Sequence, residues 1–174
     1  MGLILKFSLP SLVLGFIIFI LSSLTDFLDG YLARKNNIVS DLGKIIDPIA
    51  DKILIIGTFL AFLEKGLVNS WIVILIMVRE FFITGLRIFA LRQHKVIDAQ
   101  YLGKHKTFTQ IIAIILIFIL LITEKILYKY DISWIWFKDF SSVTIFLTMV
   151  WVAIITLVSG VIYLWKNRKI IKTL

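Results

Sequence analysis

Two closely spaced carboxylate pairs, Asp26 with Asp29 and Asp47 with Asp51, are the residues in this chain best suited to chemistry. Acids three or four residues apart lie on one face of a helix. The connection between the pairs is short, so the helices that carry them are expected to be antiparallel neighbours whose four carboxylates converge. Such a cluster repels itself. An acidic residue at the centre of a membrane helix already costs about 2.5–3.5 kcal/mol on insertion scales. The cluster persists where a cation sits inside it. All-oxygen donors, with no His or Cys among them, favour a hard ion: Mg²⁺, with Mn²⁺ or Ca²⁺ as alternatives. Two such ions about 3.5–4 Å apart suit phosphoryl chemistry, where they clamp the attacking and leaving oxygens.

Small and basic residues accompany the acids. Gly30 and Ala33 lie beside the first pair, and Gly43 shares a face with Asp47. Their lack of bulk lets a planar base or a pyrophosphate approach the backbone. Arg34 offers a planar fork of donors for phosphate oxygens. A structural alternative exists for one acid: Asp47 followed by Pro48 also reads as a helix start, with the acid as N-cap and proline in the first turn. Asp41 reads as a capping or loop residue outside the site. His94 and His105 read as loop residues, since neither has a second His or Cys at ligand spacing.

The elements that position these residues are apolar. Of 174 residues, 60% are hydrophobic, and the mean hydropathy is +0.99. Soluble domains are about 45–50% apolar, so the excess is expected to face lipid. With no cysteine, disulfides, thiolate metal sites and cysteine nucleophiles are excluded. A membrane chain with a net charge of +8 is expected to carry basic cytoplasmic loops beside anionic headgroups, and nucleic acid is not expected as a partner. Five runs approach or reach the roughly 17–25 residues needed to cross a bilayer: Leu9–Leu28, Ile45–Leu63, Ser70–Leu91, Thr107–Thr123 and Val143–Trp165. The fourth is the shortest. The first lacks a strongly basic start and a small-residue cleavage site, and is read as a span rather than a signal peptide. Backbone groups in lipid must be bonded internally, so the runs are expected to be helices. No repeat, low-complexity tract or linker interrupts them. The fold expected is a single all-α polytopic membrane domain over residues 1–174.

Charge orients it. Arg34, Lys35, Lys44, Lys52, Arg87, Arg92, Lys95, Lys104, Lys106, Lys166, Arg168, Lys169 and Lys172 fall on one side, and Lys6, Lys65, Lys125, Lys129 and Lys138 on the other. Thirteen against five puts the C-terminus and the aspartates at the cytoplasmic face, with the N-terminus outside. Trp71, Trp134, Trp136 and Trp165 fall near the expected interfaces. Arg79 is left inside a span. An intramembrane arginine is a functional candidate by default; its structural alternative is an ion pair with Glu80 or with one of the aspartates.

From Asp26 to Asp51 the chain reads Asp-x2-Asp-Gly-x2-Ala-Arg-x8-Gly-x3-Asp-x3-Asp. This resembles, with every interval matched, the signature of the CDP-alcohol phosphotransferases, and the likeness runs from about Leu9 through the last span. The resemblance implies an all-helical enzyme, usually of six spans and usually dimeric, in which an alcohol attacks a CDP-linked phosphorus and CMP leaves. Asp26, Asp29 and Asp47 would hold one metal and Asp26, Asp47 and Asp51 the other, with Asp51 also the general base. Gly30, Arg34 and Ser40 match positions that hold the CDP moiety. By the same resemblance the chain starts where the family's second span stands, without the interfacial helix and first span that precede it there.

Two further stretches, Arg79-Glu80-Phe-Phe-Ile-Thr84-Gly85-Leu-Arg87 and Leu102-Gly103-Lys104-His-Lys106-Thr107, are similar to bacterial members that use glycerol 3-phosphate. There, two arginines and a lysine hold the acceptor's phosphate, which implies Arg79, Arg87 and Lys104 here, with CDP-diacylglycerol as donor. Phosphatidylglycerol or an inositol phosphate as acceptor stays open within the family. A divalent-cation transporter, the alternative from another class, would place acids near the midplane on several helices. The pairs here cluster at one membrane face beside arginines, which favours the enzyme.

Overall fold

The computed structural model describes residues 8–35, 41–92, 101–132 and 134–168; for 26–27, 29–35, 41–51, 91–92, 101–105 and 134 the description covers the backbone alone. All regular structure among the described residues is helical: α1 (Leu9–Lys35), α2 (Asp41–Glu64), α3 (Ser70–Arg92), α4 (Tyr101–Lys129) and α5 (Trp134–Lys166). Each apolar run read from the sequence lies within one of them.

The helix boundaries extend beyond the apolar runs, for local reasons. α4 has 29 residues, well beyond Thr107–Thr123, because Glu124, Lys125 and Lys129 lower hydropathy without breaking a helix. α5 begins at Trp134, nine residues before its apolar run. There Trp136 stacks on Phe140 with ring centroids 5.9 Å apart, and the Ser141 hydroxyl donates to Glu124 of α4 at 3.3 Å. α2 starts at Asp41, which puts Asp47 and Pro48 inside the helix and removes the reading of Asp47 as its N-cap.

Specific residues close the helix ends. Asn69 caps α3, its side-chain oxygen accepting from the Trp71 N–H at 2.9 Å, as an N-cap does. Gly66, at φ 68°, ends α2: its N–H donates to the Leu63 carbonyl at 2.8 Å, and the Leu67 N–H to the Phe62 carbonyl at 3.0 Å. That is the Schellman pattern, which calls for a left-handed residue. Asp131, at φ 54°, ends α4 in the same way, with Asp131 N–H to the Tyr128 carbonyl and Ile132 N–H to the Leu127 carbonyl.

The helices pack in the ring order α1–α2–α3–α5–α4 and back to α1, and α4 also touches α2 across the ring. Its core is aromatic where α1, α2 and α4 meet. Phe118, fully buried, has Phe16, Phe19 and Phe62 around it at centroid distances of 5.5, 6.2 and 5.2 Å. The outside is apolar as well. Along α5, Val143, Leu147, Trp151, Ile154, Val158 and Val161 form a stripe at helical spacing, 48–62% exposed. Soluble monomers rarely expose apolar surface of that extent. Among the described residues two helical stretches, Lys106–Lys129 and Ile135–Lys166, are long and apolar enough to cross a membrane, and Leu9–Thr25 is a shorter apolar one.

Candidate active site

The two carboxylate pairs sit on helical backbone in helices that pack against each other. Asp26, Asp29, Gly30, Ala33 and Arg34 lie in the last turns of α1, and Gly43, Asp47 and Asp51 in the first turns of α2. Each pair therefore shares a helix face, as its spacing requires. Their side chains, like that of Lys104 in the first turn of α4, lie outside the described residues, as does all of Ser40. Among the described residues no group of three His, Cys, Asp or Glu gathers around a metal position. The donor chemistry of the four aspartates fits a hard divalent ion, since every available ligand atom is a carboxylate oxygen.

The second set of candidate residues has side chains in view. α3 presents Arg79, Ile83, Arg87 and Ala90 along one face, toward α5. Glu80 stands one residue off this line and takes two cations on the same oxygen. The Arg79 Nη1 donates to Glu80 Oε1 at 3.0 Å, and the Lys106 ammonium of α4 donates to that same atom. All three side chains are deeply buried, with Arg79 at 10%, Lys106 at 11% and Glu80 at 6% exposure. The ion pair foreseen as the structural alternative for Arg79 is therefore present. Among the described residues it sets two cations against one carboxylate. Arg87 lies within electrostatic range of Arg79, and Lys52 of α2 within range of Glu80 and Lys106. Arg79, Lys106 and Arg87 thus group with one carboxylate among the described residues.

α5 completes the region. The Arg79 Nη2 donates to the Ser159 hydroxyl at 2.8 Å, and that hydroxyl donates in turn to the Thr156 carbonyl at 2.9 Å. Arg87 lies over the Tyr163 ring, its guanidinium carbon 6.0 Å from the centroid. Among the described residues, the Nε atoms of Arg79 and Arg87, the Thr156 hydroxyl and the Tyr163 hydroxyl are buried and find no hydrogen-bond partner. Buried polar groups are ordinarily satisfied. Several such atoms gather where α3 meets α5.

Arg79 and Arg87, which the sequence reading named with Lys104 for the acceptor's phosphate, thus lie on one face of α3. Lys106, Ser159, Gly160 and Tyr163 were not among the expected site residues. Lys106 counted as a basic residue that sets orientation and as part of the Leu102–Thr107 stretch, without a role at the site. The signal for the α5 residues was a Ser-Gly pair in the middle of an apolar run.

Comparison with known proteins bears on both regions. Residues 2–167 match the family model described as CDP-alcohol phosphatidyltransferase. A CDP-diacylglycerol–glycerol-3-phosphate 3-phosphatidyltransferase of Bacillus subtilis is 38% identical over 160 residues, which are 91% of this chain and 76% of that protein. Proteins of the same name from Rickettsia bellii and Mycoplasma genitalium are 43% and 42% identical. Those two alignments cover 59% and 60% of this chain, and 56% and 44% of the respective relatives.

Proposed function

The chain belongs to the CDP-alcohol phosphatidyltransferase family, and from that premise we propose that it transfers a phosphatidyl group from CDP-diacylglycerol to glycerol 3-phosphate. The products are CMP and phosphatidylglycerophosphate, a step of phospholipid synthesis. The observation that carries the choice of acceptor is the grouping of Arg79, Lys106 and Arg87 with Glu80 as the one carboxylate beside them among the described residues. A phosphate dianion supplies negative charge to such a group. Free glycerol, serine and inositol do not. The names of the relatives from Bacillus, Rickettsia and Mycoplasma support the same choice.

In this reading Asp26, Asp29, Asp47 and Asp51 hold two Mg²⁺ ions, with Mn²⁺ an admissible substitute. When bound, the metal supplies charge stabilisation at the reacting phosphates. The protein supplies the rest. Arg34 pairs with the CDP pyrophosphate, and Gly30, Ala33, Ser40 and Gly43 leave room for the nucleotide. Arg79, Arg87 and Lys104 hold the acceptor's phosphate, with Lys106 beside them. Asp51 takes the proton of the acceptor hydroxyl as its oxygen bonds to the lipid-linked phosphorus. The bond from that phosphorus to the CMP oxygen breaks, and CMP departs.

The five described helices have at least the length that spanning requires, at 27, 24, 23, 29 and 33 residues. We read them as five crossings of the cytoplasmic membrane, with the aspartates at the cytoplasmic face and the functional unit a homodimer. The test is enzyme purified in detergent with Mg²⁺ and CDP-diacylglycerol, offered glycerol 3-phosphate, glycerol, inositol phosphate and phosphatidylglycerol in turn. CMP release is expected with glycerol 3-phosphate. Preference for an uncharged alcohol refutes the acceptor. Preference for inositol phosphate keeps the phosphate site and changes the substrate.

A further inference from the structure

We propose that Ser159 and Gly160 of α5 are positioning residues for Arg79, and that this seat on the last helix sets the enzyme's affinity for its phosphate-bearing acceptor. The inference rests on the acceptor reading above and adds to it a role for a helix that carries none of the expected site residues.

An arginine side chain has many rotamers, and in an apolar bundle its guanidinium goes where acceptors and space allow. Glu80, its neighbour on α3, holds Nη1 at 3.0 Å. One bond from the adjacent residue leaves the plane of the group free to turn. The second bond comes from across the bundle, where Ser159 Oγ accepts from Nη2 at 2.8 Å. The hydroxyl proton of Ser159 is already directed to the Thr156 carbonyl at 2.9 Å, so its lone pairs are left for the guanidinium. With one bond from α3 and one from α5, the planar fork is fixed.

Gly160 provides the space. A Cβ built there would lie 3.1 Å from Arg79 Nε, 3.4 Å from Cγ and 3.9 Å from Cδ. The Arg79 chain therefore crosses α5 at the one backbone position without a side chain. Glycine inside a helix is unfavourable relative to alanine, so Gly160 needs a packing reason, and the passage of Arg79 supplies one. By contrast, a Cβ at Gly85, on α3 itself, would meet nothing within 4 Å.

Two substitutions test the seat independently. Gly160→Ala pushes on Nε and Cγ, while its intrinsic effect on the helix is favourable. Ser159→Ala removes one oxygen and adds no contact, so it remains informative if the alanine at 160 disturbs folding. Each is expected to raise KM for glycerol 3-phosphate by about tenfold, the loss of one hydrogen bond to a charged group, with KM for CDP-diacylglycerol unchanged. Placed in an Arg79→Ala background, neither should raise it further, because residues that act through one another are not additive. The seat is overturned if Arg79→Ala raises KM for glycerol 3-phosphate but the two α5 variants do not. It is equally overturned if their effects multiply with that of Arg79→Ala, or if both substrates weaken together. If Arg79→Ala itself leaves KM for glycerol 3-phosphate at the wild-type value, it is the acceptor reading that fails.

Discussion

Glu80→Gln is the substitution whose outcome the geometry constrains most tightly. The change is nearly isosteric and removes only charge. Arg79 and Lys106 both bond to the same oxygen, Oε1, with their side chains at 10% and 11% exposure, so neither cation can turn to bulk water for relief. Removing one member of a buried ion pair costs about 3–5 kcal/mol. The glutamine amide oxygen still accepts a hydrogen bond, which returns part of that, and a net loss of about 2–3 kcal/mol is expected. For a protein of this size that is a fall in Tm of about 4–12 °C. Arg79→Ala and Lys106→Ala each leave Glu80 with one cation, and each should destabilise less than Glu80→Gln. Glycerol 3-phosphate gives the second half of the test. Its charge can replace the lost carboxylate, so a saturating amount should raise the Tm of Glu80→Gln by more than it raises that of the wild type. The assay is thermal unfolding in detergent, with and without glycerol 3-phosphate. A Tm for Glu80→Gln at the wild-type value, or above that of Arg79→Ala, refutes the account of Glu80 as the shared counter-charge. Equal ligand-induced rises in the two proteins refute the placement of the phosphate beside it.

Three other outcomes are expected. Arg87→Ala should raise KM for glycerol 3-phosphate about 10- to 150-fold, the loss of one charge-assisted contact, and leave KM for CDP-diacylglycerol nearly unchanged; Arg34→Ala should do the reverse, and steady-state kinetics on both substrates would expose any failure of that crossover. Asp51→Asn should abolish CMP release in a protein that still elutes as a folded species, and EDTA should silence the wild type until Mg²⁺ is restored; turnover by Asp51→Asn near the wild-type rate sinks its assignment as base. Asp131 holds a left-handed conformation, φ 54°, that glycine adopts without strain, so Asp131→Gly should raise stability by about 0.5–1 kcal/mol and Asp131→Val should lower it, both read from the unfolding midpoint.

Much of the fold was legible because membrane helices announce themselves by apolar length. Each of the five runs fell inside a helix, and Ser70–Leu91 matched α3 to within one residue. The misses lie where helix and hydropathy part company: the first nine residues of α5, the charged end of α4, and the first turn of α2 before Ile45. At the site, Arg79 could be singled out because a cation inside a span is conspicuous, and Glu80 was recognisable as its partner because it is adjacent. Lys106, 26 residues from Glu80, and Ser159, 80 residues from Arg79, were not. Their roles depend on the ring order of the helices, and neither periodicity nor composition encodes which helix lies beside which.

That ring order also has a consequence for how the protein is made. α3 and α5 are neighbours in space, yet α4 and both its links are synthesised between them. While the chain is being translated, Arg79 has Glu80 beside it from the outset and gains Lys106 once α4 has inserted, but its α5 flank stays open until Ser159 and Gly160 enter the bilayer. In the five-crossing reading, a chain stalled anywhere before Ser159 leaves a guanidinium facing lipid or the translocation machinery, the kind of exposed intramembrane charge that marks an unfinished membrane protein. The arrival of α5 is thus the step that conceals this charge.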